Sequence, residues 1–583
     1  MNAWARRRER DFRALIHYRP RQVAWRAIIA ARRRVASLNP GRWRRLIARA
    51  QAMELAPIRH ADTEPWIEFV LAPTVTVPQR EDDLLEGRFS FLNHSIRFGN
   101  RPEWLPRGGD APSHLWRMNL HYHRFLVDAA VGALRRPDRR AALLTRADRL
   151  LEDWTARCSV AEPIGWADAW NSYAVASRLL NARLARQVVA RINGAEAARF
   201  AARLDALGAS SAVFLERWLE WDLGGNHLLR NACALVVAGR WFRGPVAARW
   251  LERGTRILRA EVREQFLGDG FHEERSPMYH TLAIEDLLAT LPATNDRQVD
   301  ETTEIIGRAI AALAVVQHPD GELALFNDSA LGVASPLDRL RELASRLGVS
   351  WHHPGPTEVP MAGYYKLVEG HHHVVFDAGL LGPDHLPAHA HADALSFEWS
   401  VGAMRVVTDT GVDRYEAGPE RDFQRSVRAH STLEVDGHDQ AEPFGSFRMG
   451  RRPHVVGERL DSNAVAGSHD GYGAAGRHWR RLTLGPGHGP SWIDRLDGPA
   501  EHPVTVRLGL APEIRASIDQ GRITIDAGPA GRWRWSTPPE GRVALENGVY
   551  CPEFGRSVPR IVLTWKGAAG RSRELPFALV PLD

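Results

Sequence analysis

The spacing of apolar residues changes once along this chain, at Trp351-His352-His353-Pro354-Gly355-Pro356-Thr357-Glu358-Val359-Pro360, and the change rules out a fold built from one kind of secondary structure. From about Asp62 to Leu347 apolar residues recur every three or four positions, notably over 120–127, 141–154, 170–185, 197–218, 228–241 and 284–291, which predicts helices. Short polar or glycine-bearing turns join them, so the simplest architecture is an α/α toroid of helical hairpins. Beyond the proline-rich stretch the period becomes two, over 364–367, 373–376, 395–407, 432–435, 479–484, 505–510, 522–526, 532–535 and 561–565. Glycine, proline and aspartate turns separate these runs, the pattern of an antiparallel β-sandwich. The expected chain is a multidomain α+β protein: a basic helical arm at 1–60, a toroid at 61–347, a linker at 348–360 and a sandwich at 361–583.

Length alone agrees, since 583 residues exceed what one compact core organises. The basic residues are nearly all arginine, with Lys366 and Lys566 the two lysines, a bias that reads first as GC-rich coding. A net charge of +6 fits an acidic partner but is too small to choose among glycan, nucleic acid and lipid. No nucleic-acid motif accompanies the dispersed arginines. Cys158, Cys233 and Cys551 are odd in number and far apart, so neither a disulfide framework nor a cysteine zinc site is indicated.

The first fifty residues are rich in arginine, and Val23 to Ala31 is only a short, interrupted apolar patch with no cleavage site after it. No secretory signal and no membrane span are predicted, so a cytoplasmic place is expected, with the periplasm as the alternative. The arm reads most simply as a solvated helical extension. The functional alternative is contact with a membrane surface or an acidic polymer. Oligomeric state stays open.

His389-Ala390-His391-Ala392-Asp393 is the densest chemistry in the chain. An extended segment sends alternate side chains to opposite faces, so a strand here puts His389, His391 and Asp393 together. His391, with Asp409 of Thr408-Asp409-Thr410-Gly411 and with His430, could converge as metal ligands from neighbouring strands, leaving His389 free for chemistry. Two other readings stand beside it: both histidines of the strand on one metal, or His430 capping a sheet edge.

In the helical half, Gly224-Gly225-Asn226-His227-Leu228 leads into an apolar helix, which places Asn226 at or beside an N-cap. It either caps the helix or offers its amide to a ligand. Farther on, Ser276 reads as an N-cap and Pro277 as the first helical residue, with Tyr279 in the first turn. A phenol there is expected to lose its proton more easily than a free tyrosine, unless it is simply wedged between helices.

Gly225-Asn226-His227-Leu228, Glu274-Arg275-Ser276-Pro277-Met278-Tyr279-His280, His389-Ala390-His391-Ala392-Asp393 and Thr408-Asp409-Thr410-Gly411, in that order, resemble the heparinase II/III type of polysaccharide lyase over roughly residues 100–445. The resemblance implies an incomplete α/α toroid followed by a layered β-sandwich. It implies β-elimination on a uronic-acid-containing polysaccharide; the family's degradative members are typically exported, and with no export signal seen here a role in making or trimming a bacterium's own capsular or exported polysaccharide is the expectation. Asn226 and His227 would hold the uronate carboxylate. Tyr279 would protonate the leaving oxygen, and Tyr279 or His389 would take the C5 proton. His391, Asp409 and His430 would hold a structural zinc. No organic cofactor is called for, and Tyr415 could line the substrate groove. A glycoside hydrolase using Glu273, Glu274, Asp320, Glu322 or Asp328 is the nearest rival. The other is a catalytically silent glycan-binding or assembly protein.

Overall fold

A computed structural model describes residues 3–50, 54, 64–71, 81–109, 111–160, 163–291, 301–352 and 355–582. The outer ends of the predicted arm, at 1–2 and 51–60 apart from Glu54, and His353-Pro354 of the predicted linker lie outside the described residues.

From His114 to Arg346 the described chain is almost all helix, in successive antiparallel neighbours: Ser172–Val189 packs on Ala195–Leu215, and Gly225–Trp241 on Pro245–Gln265. Local chemistry sets where these helices begin. The Ser113 hydroxyl accepts from Trp116 N at 3.1 Å, and the Asn171 side chain accepts from Tyr173 N at 3.0 Å. Their apolar faces share one core that includes Trp116, Trp154, Trp241 and Trp250. One short hairpin, Arg88–Phe91 paired with His94–Arg97, interrupts the helical part and was not predicted. Its four-residue strands are too short to show a period.

From Glu358 onward the chain is mainly antiparallel sheet, with one short α-helix at Pro419–Gln424. A five-stranded meander runs through Glu358–Val359, Tyr364–Glu369, His372–Asp377, Phe397–Val401 and Met404–Val407, and an eight-stranded and a four-stranded sheet follow. Pro490–Asp497 alternates strictly between buried and half-buried residues, the signature of a strand with one face on a core. That core holds Trp399, Trp492, Leu508, Trp565 and Phe577. Helices followed by antiparallel sheets is the fold class the residue spacing predicted.

The arm departs from expectation. Its helices Ala3–Leu15, Pro20–Ser37 and Pro40–Ala50 are not solvated on every side. Gln22 and Ile29 are buried, Trp25 stacks on Trp221 at 5.8 Å, and Trp43 packs beside Phe214 and Trp218. Arg21 pairs with Glu264 of the helical part at 2.9 Å, and Arg13 with Glu442 of the β part at 3.5 Å. All three cysteines are buried as free thiols. No helix among the described residues is long and apolar enough to cross a membrane.

Candidate active site

A cavity of about 1490 Å³ is walled on one side by Tyr173, Asn226, His227 and Tyr279 of the helical part, and on the other by Leu386, His389, Tyr415 and Phe447 of the β part. Small-molecule pockets run to roughly 300–1,000 Å³. This one has room for a segment of a chain.

Gly224, not Asn226, caps the Gly225–Trp241 helix, and Asn226 is its second residue. Its backbone N–H donates to Glu274 Oε1 at 3.0 Å, so the orphan donors of the helix start are partly used by a carboxylate and the side chain is turned to the cavity wall. Gly225 makes this possible. Its φ is +52°, and a Cβ there would lie 2.3 Å from Leu386 and 2.4 Å from Glu274 Oε1. Gly225→Ala is expected to cost about 1–3 kcal/mol of stability through backbone strain and to push Glu274 away. Thermal unfolding with turnover measured on the same preparation checks this. An unchanged midpoint would reject it.

His227 is half-buried, with Nδ1 3.0 Å from Glu220 Oε1 and its ring 4.7 Å from that of Tyr173. Burial opposes charge on the imidazole, but Glu220 outweighs it, and the pKa stands above the ordinary value.

The Pro277–Ala289 helix begins as predicted, with Ser276 Oγ accepting from Tyr279 N at 3.2 Å. The expectation of an easily ionised phenol is overturned. Burial, then the adjacent Tyr415, raise the Tyr279 pKa well above that of free tyrosine. The backbone dipole of one turn is too small to offset loss of solvent. Tyr279 and Tyr415 hydroxyls meet at 2.9 Å, and the Tyr279 ring stacks on His389 with centroids 3.8 Å apart.

His389 to Asp393 is a loop, not a strand, and enters the meander only at Phe397. Its backbone is held by the other part of the molecule: His389 O accepts from Asp328 N at 3.0 Å, and His391 N donates to Asn327 Oδ1 at 3.1 Å. The alternation survives without sheet partners. Ala390 and Ala392 join a small apolar cluster with Leu381, Val427 and Met449, while the polar side chains face the opposite way.

Asp328 organises that polar side. It accepts two hydrogen bonds from Arg421, at 2.5 and 2.8 Å, and lies 3.0 Å from His389 Nδ1 and 2.9 Å from His391 Nε2. Burial disfavours its charge, but Arg421 and the two imidazoles overcome that and hold the carboxyl well below its usual range. An ionised carboxylate only accepts. It therefore fixes the proton of His389 on Nδ1 and leaves the lone pair on Nε2, 3.4 Å from Glu274 Oε2.

Among the described residues, the ligand atoms brought within 4.8 Å of one another belong to His391, Asp393 and His430, so two of the three expected ligands fall in this group. Asp409 sits behind the group, with Oδ2 2.7 Å from His430 Nδ1. Gly411 lets that backbone turn, with φ +70° and no room for a Cβ beside Cys551 O at 2.4 Å. The bonds to Asp328 and Asp409 use one nitrogen of each histidine. The other two, His391 Nδ1 and His430 Nε2, are buried without a hydrogen-bond partner. Two orphaned imidazole nitrogens beside a carboxylate are a donor set that suits a metal ion.

The structure thus places Asn226, His227, Tyr279, His389 and Tyr415 on one cavity and the metal-type cluster beside it. Sequence reasoning missed Glu220, Tyr173, Asp328 as an orienting group, and Arg421. Nothing in local spacing marks them, because their contacts cross 7 to 93 residues of chain. Of the five carboxylates offered for hydrolysis, only Glu274 lines the cavity. Asp328 is locked in its ion pair, Asp320 pairs with Arg405 at 2.7 Å, and Glu273, pushed up to about 8 by burial and by Glu274, lies outside the lining.

Models of the heparinase II/III N-terminus and of the heparinase II/III-like C-terminal region match residues 112–345 and 353–573. The chain belongs to the heparinase II/III-like family. FtsZ-localized protein C of Caulobacter vibrioides is 26% identical over 506 residues, 79% of this chain and 81% of that protein. A heparin-sulfate lyase of Pedobacter heparinus is 25% identical over 248 residues, 37% of this chain and 36% of the lyase. The crystal structure of heparinase III shares the fold with a TM-score of 0.68 at 17% identity, over 88% of each chain. Heparan sulfate lyase HepC of Pedobacter heparinus does so at 0.57 and 16%, over 93% of this chain and 88% of its own. The expected fold of toroid then β-sandwich, and the expected class of polysaccharide lyase, stand with that membership.

Proposed function

We propose that this heparinase II/III-like protein cleaves a uronic-acid-containing polysaccharide by β-elimination, with His389 as base and Tyr279 as acid. The observation that carries the reading is the stacked pair itself. Tyr279 is held protonated by burial, and the adjacent His389 has its Nε2 lone pair freed by Asp328. Such a pair takes one proton and gives another on the same face of a bound sugar.

Removing the C5 proton of a uronate is prohibitive while its carboxylate keeps its charge. The Asn226 amide and the imidazolium of His227 are suited to hold that carboxylate, as donors fixed before charge develops. His389 Nε2 takes the C5 proton and the C4=C5 bond forms. As the C4–O bond breaks, the Tyr279 proton passes to the leaving oxygen. Glu274, near Nε2, favours the imidazolium that results. The product is a 4,5-unsaturated uronate that absorbs in the ultraviolet.

The cavity lining holds six arginines against seven carboxylates among the described residues, a balance unsuited to a densely sulfated polymer. A sparsely charged uronate polymer fits better, such as a capsular or exopolysaccharide chain. Ultraviolet absorbance with unsulfated and sulfated uronate polymers and the producing cell's own polysaccharide tests this. A rise confined to unsulfated substrates supports the reading, and saturated products would replace it with hydrolysis. One relative matched over four-fifths of its length is named for FtsZ rather than for a lyase, so a silent family member is the competing reading. No rise on any polymer would favour it.

The sign of the pH dependence follows from His227. If its imidazolium binds the carboxylate, the contribution of His227 to kcat/KM is present while it is protonated and is lost as pH rises through a pKa lying above the ordinary ~6.5. His227→Gln should lower kcat/KM and abolish that alkaline limb. A limb unchanged in the variant would assign it elsewhere.

His391, Asp393 and His430 are the residues that would hold a zinc ion, whose contribution is to fasten the His389 loop. No reaction step passes through it. The purified protein should carry roughly one equivalent of zinc, and chelation should lower the unfolding midpoint as His430→Ala does. A metal-free protein indifferent to chelator would refute this.

A further inference from the structure

We infer that the amino-terminal arm is a docking surface for an anionic lipid bilayer, on which the protein lies without spanning it. This is independent of the catalytic reading. In Pro20–Ser37 one face is spent on the body of the protein through Gln22, Trp25 and Ile29. The opposite face carries Val23, Ala27, Ile28, Ala31 and Val35, continued by Leu38, at helical spacing, and every one is exposed. Val35 is 67% and Leu38 79% exposed. At the end of Ala3–Leu15 the same arrangement recurs. Ala14 is buried and Arg13 turns to Glu442, while Phe12 and Leu15, with Ile16 just beyond, are 64%, 60% and 60% exposed. Soluble proteins seldom leave large apolar side chains grouped in this way. Seven of the fifteen exposed large apolar residues in the described chain lie within this one segment.

Charge decides the occupant. Residues 1–50 contain fifteen arginines and two acidic residues, whereas the whole chain is only +6, so everything beyond the arm is net acidic. Arg32, Arg33 and Arg34 border the stripe and are exposed, and no carboxylate lies within ion-pair distance of Arg33 or Arg34 among the described residues. A soluble polyanion would be held by the arginines and would have no use for the apolar stripe. A stripe of aliphatic residues rimmed by arginine matches acyl chains beneath anionic headgroups.

The test is sedimentation of the full chain with phosphatidylcholine vesicles, with and without phosphatidylglycerol. Two variants accompany it: Leu15→Ser/Ile16→Ser/Val35→Ser/Leu38→Ser, and Arg33→Gln/Arg34→Gln, which spares Arg32 because its guanidinium packs over the Trp218 ring. Wild type should pellet only with the phosphatidylglycerol vesicles, and each variant should partition at least tenfold less. Thermal unfolding of both should match wild type, because the substituted side chains lie off the packed face. The inference is overturned if wild type ignores these vesicles, or if the serine variant binds them as well as wild type does, which would mark a site for any polyanion. It is equally overturned if the protein self-associates through the stripe, seen as a mass that the serine variant lowers, and leaves vesicles alone.

Discussion

Tyr279→Phe is expected to fold normally and to lose roughly 10²–10⁴ of its turnover, the range typical of a positioned acid or base. The substitution keeps the ring that stacks on His389 and removes only the hydroxyl. The neighbouring hydroxyl is that of Tyr415, which is 2.9 Å away and whose pKa burial also raises. Tyr415→Phe should therefore cost far less, through a Tyr279 hydroxyl that is less well aimed. Ultraviolet assays of both variants, with substrate binding measured separately, separate acid from scaffold. Equal losses in the two would remove Tyr279 from its role. Retention of affinity by a Tyr279→Phe protein that never turned over in the first place would identify a binder.

The second large effect belongs to Asp328, a positioning residue that touches no substrate. Asp328→Asn keeps the shape, but the amide can donate to His389 Nδ1 and so favours the tautomer with its proton on Nε2, where the base needs a lone pair. kcat should fall by about 10²–10⁴ with KM little changed. Asp328→Ala should do more, since it leaves the buried Arg421 guanidinium without its carboxylate, a loss of about 3–5 kcal/mol seen in the urea midpoint. A rise in activity of Asp328→Asn at any pH, or an unmoved midpoint for Asp328→Ala, would contradict this account.

These two residues also show how far local sequence reaches. Tyr279 was legible because its surroundings are local: serine, proline and a first helical turn follow one another in the chain. Its ionisation was misjudged for the same reason, since the helix start is a local fact whereas burial and the adjacent Tyr415 are not. His389 and His391 announced themselves by alternation with alanine. Their setting as a loop did not, because the backbone groups that hold it come from Asn327 and Asp328, over sixty residues earlier.

Asp393 was recognised as sharing a face with both histidines, yet Asp409 was preferred as a ligand. Only the packed structure shows that Asp393 gathers with the two histidines while Asp409 meets His430 at Nδ1. The arm makes the same point at larger scale. Its charge and short apolar run were evident, but one helix face looks like the other until Trp25 is seen against Trp221 and Val35 is seen against nothing.

The sequence by itself determined the helical-then-sheet order, the residues able to do chemistry and the family, because periodicity, caps and short motifs are written in neighbouring residues. The tertiary structure alone decided which nitrogen of each histidine is free, which carboxylate faces the cluster and which face of the arm meets solvent. Those depend on burial and on charges brought together from distant parts of the chain, and no local pattern encodes a desolvation.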